Sequence, residues 1–478
     1  RVHPLSPAFP SPCRVHLPSF RQCEQPLPTF GTRAGVLSRR AALRHPSMKI
    51  GLCVFLSSCW ETASWLIGRG HERGASERMS RRRGGRGARG AERTDAGDDA
   101  TAAALSFLRE AAGRDQPRLE ISDAFEGDRF PNVVVTPTGA VLLVYGADMV
   151  RVRRSGDGGA SWGTAVEVAH GIHGGGVTVD ELTGHVLIFV EDEHPPAPLR
   201  LFRSTDDGLT WAPMPTRVLP NAEGHVMAMH FNEKGLSLRG GQHNGRLLRA
   251  ARWYAEGDYD FAMPQHYTAV VYSDDHGATW HASEPFPAKG TGEAALAQLS
   301  NGSIVCNSRR HWAPPPEKRS VDSFWHSSET KRRWAALSSD GGETWGSAAR
   351  ELLDLPDGPQ GSDFGLFGGL ARLDAHADIL LFSNCDTPGS DRRNGAVWLS
   401  FNGGDRWPHK RVMSSGQFGY SSLAAGRAGT PSEGWVYLFF EAGKATREIK
   451  VADGYFQAGA LGRIARFNMA WLTEGLEL

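Results

Sequence analysis

Several stretches of this chain carry residue types that could do chemistry. Gly159-Ala160-Ser161-Trp162-Gly163 fits the G-x-S-x-G pattern of an activated serine, and His173-Gly174-Gly175-Gly176 looks like a glycine-rich oxyanion loop. A nucleophile elbow needs a strand before its serine, a helix after it, and the glycine-rich loop earlier in the chain. Here the order is reversed, which argues against a serine esterase. The acidic run Glu191-Asp192-Glu193-His194 has ligand types for a hard cation, but a lone acidic loop is the ordinary composition of a solvated face. The remaining candidates are polar residues that end apolar runs: Gly146-Ala147-Asp148, Ser308-Arg309-Arg310, Ser383-Asn384-Cys385-Asp386 and Glu441. Charges at strand ends become a site when a fold gathers those ends on one face.

The runs themselves supply such a fold. Val141–Tyr145, Val186–Val190, Ile304–Asn307, Ile379–Phe382 and Val436–Phe440 are short, nearly continuous apolar strands, as a sheet buried on both faces requires. Out of phase with them, Ser338-Ser339-Asp340-Gly341-Gly342-Glu343-Thr344-Trp345 sets a pattern S-x-D-x-G-x-x-W. It recurs at Ser155–Trp162, Ser204–Trp211 and Ser273–Trp280, and at Ser400–Trp407 with Asn402 in place of the aspartate. The aspartate accepts bonds from its own turn, glycine supplies positive φ, and tryptophan buries a ring between strands. Five copies roughly 50 to 70 residues apart indicate supersecondary repeats of the propeller kind. The box aspartates are therefore structural, and Ser161 lies inside a box. If strands alternate direction in each blade, boxes and polar strand exits fall on opposite faces.

Residues 1–117 read as a low-complexity, disordered leader, and residues 118–478 as one toroid. The leader is rich in proline near Pro4–Pro12 and contains the Arg/Gly tract Ser80–Arg89. Within 48–70, Met48-Lys49 and the apolar Ile50–Leu56 resemble a weak secretory signal, so a place in the secretory pathway is an open expectation. Equal numbers of basic and acidic residues, 53 each, argue against a nucleic-acid partner. No stretch is long and apolar enough for a transmembrane helix. Only Cys306 and Cys385 lie in the repeats, so the fold does not rest on disulfides, and no spacing suggests zinc.

From about Asp123 to the end, the chain resembles the sialidase superfamily, six-bladed propellers marked by these Asp boxes. Arg129-Phe130-Pro131 stands where the family has Arg-Ile-Pro. Gly290-Thr291-Gly292-Glu293 precedes Asn307-Ser308-Arg309, Arg392 precedes the fifth box, and Gly419-Tyr420-Ser421-Ser422-Leu423 precedes Glu441. The resemblance implies an all-β six-bladed β-propeller and an exo-α-sialidase acting on sialylated glycoproteins, glycolipids or oligosaccharides. It implies a monomer and no cofactor or metal.

Carried over residue by residue, the resemblance makes Arg129, Arg309 and Arg392 a triad for the sialic acid carboxylate, with Arg393 the alternative to Arg392. Guanidinium forks suit that task because they bind a planar carboxylate through two charge-assisted bonds. Tyr420 becomes the nucleophile, the established exception among glycosidases, with Glu293 as its base. A neutral phenol can approach a centre that bears a carboxylate, where a second carboxylate would be repelled. Glu441 holds Arg129. The general acid/base falls to Asp148, the first acid after the first apolar strand, with Asp180 and Asp192 as alternatives. Two rival readings stay open: an Asp-box propeller that binds glycans without catalysis, and a trans-sialidase or a hydrolase for a related nonulosonic acid.

Overall fold

The computed structural model describes residues 95–476, apart from 194–197, 229–231, 256–264, 312–329, 360–364, 374–377, 388–391, 444–446, 452–453 and 459. The signal-like stretch at 48–70, the Arg/Gly tract and the rest of the leader up to residue 94 lie outside the described residues.

Six of the sheets, antiparallel apart from one added edge strand, are the blades of a β-propeller, and Arg447–Val451 with Gly454–Ala458 forms a separate two-stranded sheet. The first blade is Asn132–Val135, Val141–Tyr145, Met149–Ser155 and Val166–His170, ordered from axis to rim. In the second, Ile172–His173 and Thr178–Val179 share the inner position, followed by Val186–Glu191, Leu199–Ser204 and Ala212–Met214. The third runs Leu236–Ser237, Leu247–Tyr254, His266–Ser273 and Thr279–Ala282, with Arg217–Leu219 added in parallel at its outer edge. The fourth is Thr291–Gln298, Ile304–Arg310, Thr330–Ser338 and Arg350–Pro359, and the fifth Leu370–Arg372, Leu380–Cys385, Arg393–Ser400 and His409–Gln417. The sixth takes Ser421–Ala425, Trp435–Ala442 and Ala460–Asn468 from the C-terminal end and Leu119–Asp128 from the N-terminal side. Pairing of Leu119–Asp128 with Ala460–Asn468 closes the ring.

The apolar runs read from the sequence are the second strands of five blades, and each is buried throughout its apolar core. The third blade has no such run because Leu247–Tyr254 carries the buried Arg249 and Arg252. Packing between neighbouring sheets gives successive apolar clusters around the ring, one of them built from Leu187, Phe189, Val271 and Trp280.

Every box spans the hairpin from third to fourth strand. In the first, Ser155 Oγ donates to Asp157 Oδ1 at 2.7 Å, and the Ser161 N–H and hydroxyl donate to the same carboxylate at 2.9 and 2.5 Å. Those bonds, the Ser161 hydroxyl first, hold the Asp157 carboxyl at about 2. Asn402 reproduces the turn: its Oδ1 accepts from Ser400 Oγ at 3.1 Å and from Arg406 N at 3.0 Å. Six blades have five boxes because the sixth blade's third and fourth strands come from opposite ends of the propeller sequence, with no hairpin between them. Cys306 and Cys385 are buried free thiols.

A helix, Asp95–Arg114, falls inside the range read as leader. Its Ala104 and Leu108 are fully buried in the same apolar cluster as Trp471 and Leu472 of the short helix Met469–Thr473. Asn468 ties the two together: its Oδ1 caps Trp471 N and accepts from Arg118 N, both at 3.0 Å, and its amide donates to Gln116 O at 2.8 Å.

Candidate active site

The inner strands all run from one face of the propeller toward the other, so the residues that open them share a face. Tyr420 immediately precedes Ser421–Ala425, Glu293 lies near the start of Thr291–Gln298, and Arg129 and Phe130 precede Asn132–Val135. Second strands run antiparallel to the inner ones, so their ends return to that face. Ile304–Arg310 thereby delivers Arg309, and Trp435–Ala442 delivers Glu441.

Tyr420 Oη donates to Glu293 Oε1 at 2.5 Å. Arg309 Nη1 donates to the other carboxylate oxygen of Glu293 and to Tyr420 Oη, the latter at 3.2 Å. The Arg129 guanidinium lies 5.0 Å from the Tyr420 ring centre and that of Arg392 lies 5.2 Å from it. Glu441 takes both forks of Arg129, at 3.0 and 3.2 Å. It also accepts from Phe130 N at 3.1 Å and Tyr420 N at 3.2 Å, so one carboxylate fixes arginine and tyrosine together. Phe130 sits at φ 66, a conformation costing a non-glycine residue on the order of 1–3 kcal/mol, and the bond to Glu441 helps hold it there.

Burial alone would push the Glu293 carboxyl up, but Arg309, then His311 and Arg252, outweigh it and hold the group at about 2. Burial, with the Glu293 charge beside it, pushes the Tyr420 phenol up to about 12 against the pull of the three arginines. The unliganded site thus rests as carboxylate and phenol. Glu191, at the end of Val186–Glu191, is raised by burial against the opposing pull of Arg249 and Arg252.

Of the residues singled out in the sequence, Tyr420, Glu293, Arg129, Arg309, Arg392 and Glu441 come together. Arg392 faces the Tyr420 ring, whereas its neighbour Arg393 is exposed. Asp148 is exposed on the loop after Val141–Tyr145, with its carbonyl accepting from Gly171 N at 3.0 Å. Asp192 is near the same rim, where it pairs with Arg200, whose guanidinium also donates to His170 O. Asp180 is elsewhere: its carboxylate accepts from Thr183 Oγ1 and meets His276 of the third box, both at 2.7 Å. His173 of the glycine-rich pattern is fully buried and held neutral, chiefly by burial. No cluster able to hold a metal ion occurs among the described residues.

Sequence reading missed Phe367, whose ring centre is 4.3 Å from that of Tyr420. It also missed Asp128, which accepts from Arg129 N and Ala147 N at 2.9 and 2.8 Å, and the Arg252–His311 pair beside Glu293. None of these residues is itself part of a motif, although Asp128 directly precedes Arg129-Phe130-Pro131 and His311 directly follows Ser308-Arg309-Arg310. The one available signal was the pair of arginines interrupting the apolar pattern of Leu247–Tyr254.

The model of the BNR repeat-like domain matches residues 145–431, which include all five boxes and the sequence-predicted site residues apart from Arg129 and Glu441. The chain belongs to the BNR-repeat sialidase superfamily. This sialidase-superfamily propeller is 29% identical over 399 residues to a sialidase of Micromonospora viridifaciens, covering 73% of this chain and 53% of that one. It is 24% identical to a sialidase of Bacteroides fragilis, covering 62% and 57%. The chain thus spans about half the length of both relatives. Its fold is similar to that of the intramolecular trans-sialidase from Ruminococcus gnavus solved with oseltamivir carboxylate. That match has TM-score 0.51 at 14% identity and covers 73% of this chain and 96% of the other.

Proposed function

We propose that this propeller is an exo-α-sialidase, a retaining glycosidase that releases terminal sialic acid from glycoproteins, glycolipids or oligosaccharides. The observation that carries the reading is the hydrogen bond from Tyr420 to Glu293 inside a ring of three arginines. Arg129, Arg309 and Arg392 grip the substrate carboxylate and set the anomeric carbon above the phenol. The bound anion spends part of the arginines' positive field, which releases Glu293 toward higher basicity as Tyr420 attacks. Tyr420 Oη bonds to the anomeric carbon while its proton passes to Glu293. The glycosidic C–O bond breaks, and Asp148 gives its proton to the leaving oxygen. Water then attacks the sialyl–tyrosine bond, Asp148 takes the water proton, and the tyrosine oxygen recovers its proton from Glu293. Two displacements retain the configuration. Glu441 keeps Arg129 and the Tyr420 backbone in register.

Release of the fluorophore from an aryl α-sialoside by the full chain, beside its Tyr420→Phe variant, tests this. Release that the substitution abolishes supports the reaction and its nucleophile. A folded wild type that binds sialosides without releasing aglycone sinks the hydrolase reading in favour of a binding propeller.

A further inference from the structure

Because the inner strands share one direction, their far ends also gather on the axis, at the face opposite Tyr420. There they enclose a cavity of about 460 Å³ to which every blade contributes. That volume falls within the range of small-molecule sites, roughly 300–1,000 Å³. Apolar walls come from Val135, Val179, Leu236, Leu296, Leu370 and Ala425. Lys234, Arg239, Arg372 and Arg427 add four cations to the lining.

The Asn232–Gly235 segment separates this cavity from the Tyr420 site. Lys234 donates to Leu370 O at 2.7 Å and to Leu423 O, and pairs with Glu233 at 3.0 Å. Buried Glu233 accepts from Ser422 Oγ at 2.7 Å and Leu423 N at 3.2 Å. Asn232 Oδ1 accepts from Ala294 N at 2.9 Å, and Gly235 N donates to Val177 O at 3.0 Å. The segment is thus bonded to the second, fourth, fifth and sixth blades, and it plugs the axis.

The charges around the cavity do not cancel. Glu181 is shared by Arg427, at 2.6 and 2.8 Å, and Arg239, at 3.2 Å. Asp378 pairs with Arg372 at 3.1 Å, and Glu233 with Lys234. Four cations meet three carboxylates, which leaves one positive charge beside apolar walls. We propose that this axial cavity is a second ligand site and binds a small organic monoanion with an apolar body, an aromatic or aliphatic carboxylate or sulfonate. The anion lies among the cations, and its body covers the valine and leucine walls. This site does not depend on the sialidase reaction.

Titration of the full chain with anilinonaphthalene sulfonate tests it, with fluorescence and equilibrium dialysis as readouts. Saturable binding at one site per chain is expected. Arg239→Glu, at a half-exposed position, makes the surplus charge negative, and Ala425→Phe fills the cavity. Each should weaken binding at least about tenfold while near-UV circular dichroism stays that of the parent. Gln298→Glu is a second charge variant if either fails to fold. Arg309→Met, on the opposite face, should leave binding intact. Binding that survives the cavity variants in folded protein, that disappears in Arg309→Met, or that never saturates overturns the proposal.

Discussion

Tyr420 and Glu293 illustrate how little of a residue's chemistry resides in the residue. A phenol buried beside a carboxylate is a poor acid, and a carboxylate beside Arg309 is a poor base, so in the proposed reaction the pair acts only as substrate charge redistributes the field. Tyr420→Phe should lower kcat by about a thousandfold or more with the melting temperature little changed, because only a hydroxyl is lost. Arg309→Met removes the largest of the influences that lower Glu293, so that carboxyl should rise by about 1–3 units. A base must be ionised, so the acid limb of kcat/KM should move to higher pH. The linkage has the same sign. Glu293 lies at about 2, below its ordinary 4.5, so it contributes stability above about pH 4.5 that disappears as pH falls toward 2. In Arg309→Met that contribution should be smaller and its loss complete at a higher pH, so the acid-side fall in stability should be shallower in urea unfolding across pH 2–5. The residues proposed as triad, nucleophile and base were legible as motif residues in sequence. The choice of Arg392 over Arg393 was not, because adjacent strand residues point to opposite sides and only the register tells which faces inward.

At the scale of elements, turns and site are separable. Trp280 is fully buried and its indole N–H donates to Gly277 O at 3.0 Å, so Trp280→Ala should cost about 3–5 kcal/mol in denaturant unfolding. At temperatures where that variant stays folded, kcat/KM should be close to wild type, since the box hairpins lie on the face opposite Tyr420 and Glu293. Gly419 is the opposite case. A Cβ there would lie 2.5 Å from Glu441 Oε2, so Gly419→Ala should displace the carboxylate that holds Arg129. KM for an aryl sialoside should rise about tenfold while the melting temperature falls by only a few degrees. The boxes and five apolar strands could be read directly, because each is a local pattern with a local physical cause. Leu247–Tyr254 could not, since its two arginines take their partners from other blades. Arg249 donates to Gly174 O and Gly175 O, and Arg252 meets His311.

For the whole molecule, closure is the decisive step. Phe125 packs over Gly462 where the N-terminal strand joins the sixth blade, and a Cβ on Gly462 would come within 2.2 Å of its ring. Gly462→Ala should therefore destabilise the ring by about 1–3 kcal/mol, seen as a lower midpoint in thermal unfolding.

Sequence alone determined the repeat, the all-β class, the structural role of the box aspartates and the family resemblance. Each depends on spacings along the chain and on turn chemistry within a few residues. Tertiary structure decided what depends on distance across the ring. Asp180 belongs with His276 and not with Tyr420, although Asp148 and Asp180 are each the first acid after a strand. The helix Asp95–Arg114, set in a stretch of low-complexity sequence, packs Ala104 and Leu108 into the core because Trp471 and Leu472 offer an apolar face there and Asn468 holds the chain just after it through Gln116 and Arg118. The plug at Asn232–Gly235 likewise has no motif. Its residues are ordinary in sequence, and they become a hub only because inner strands from the other blades converge on one axis.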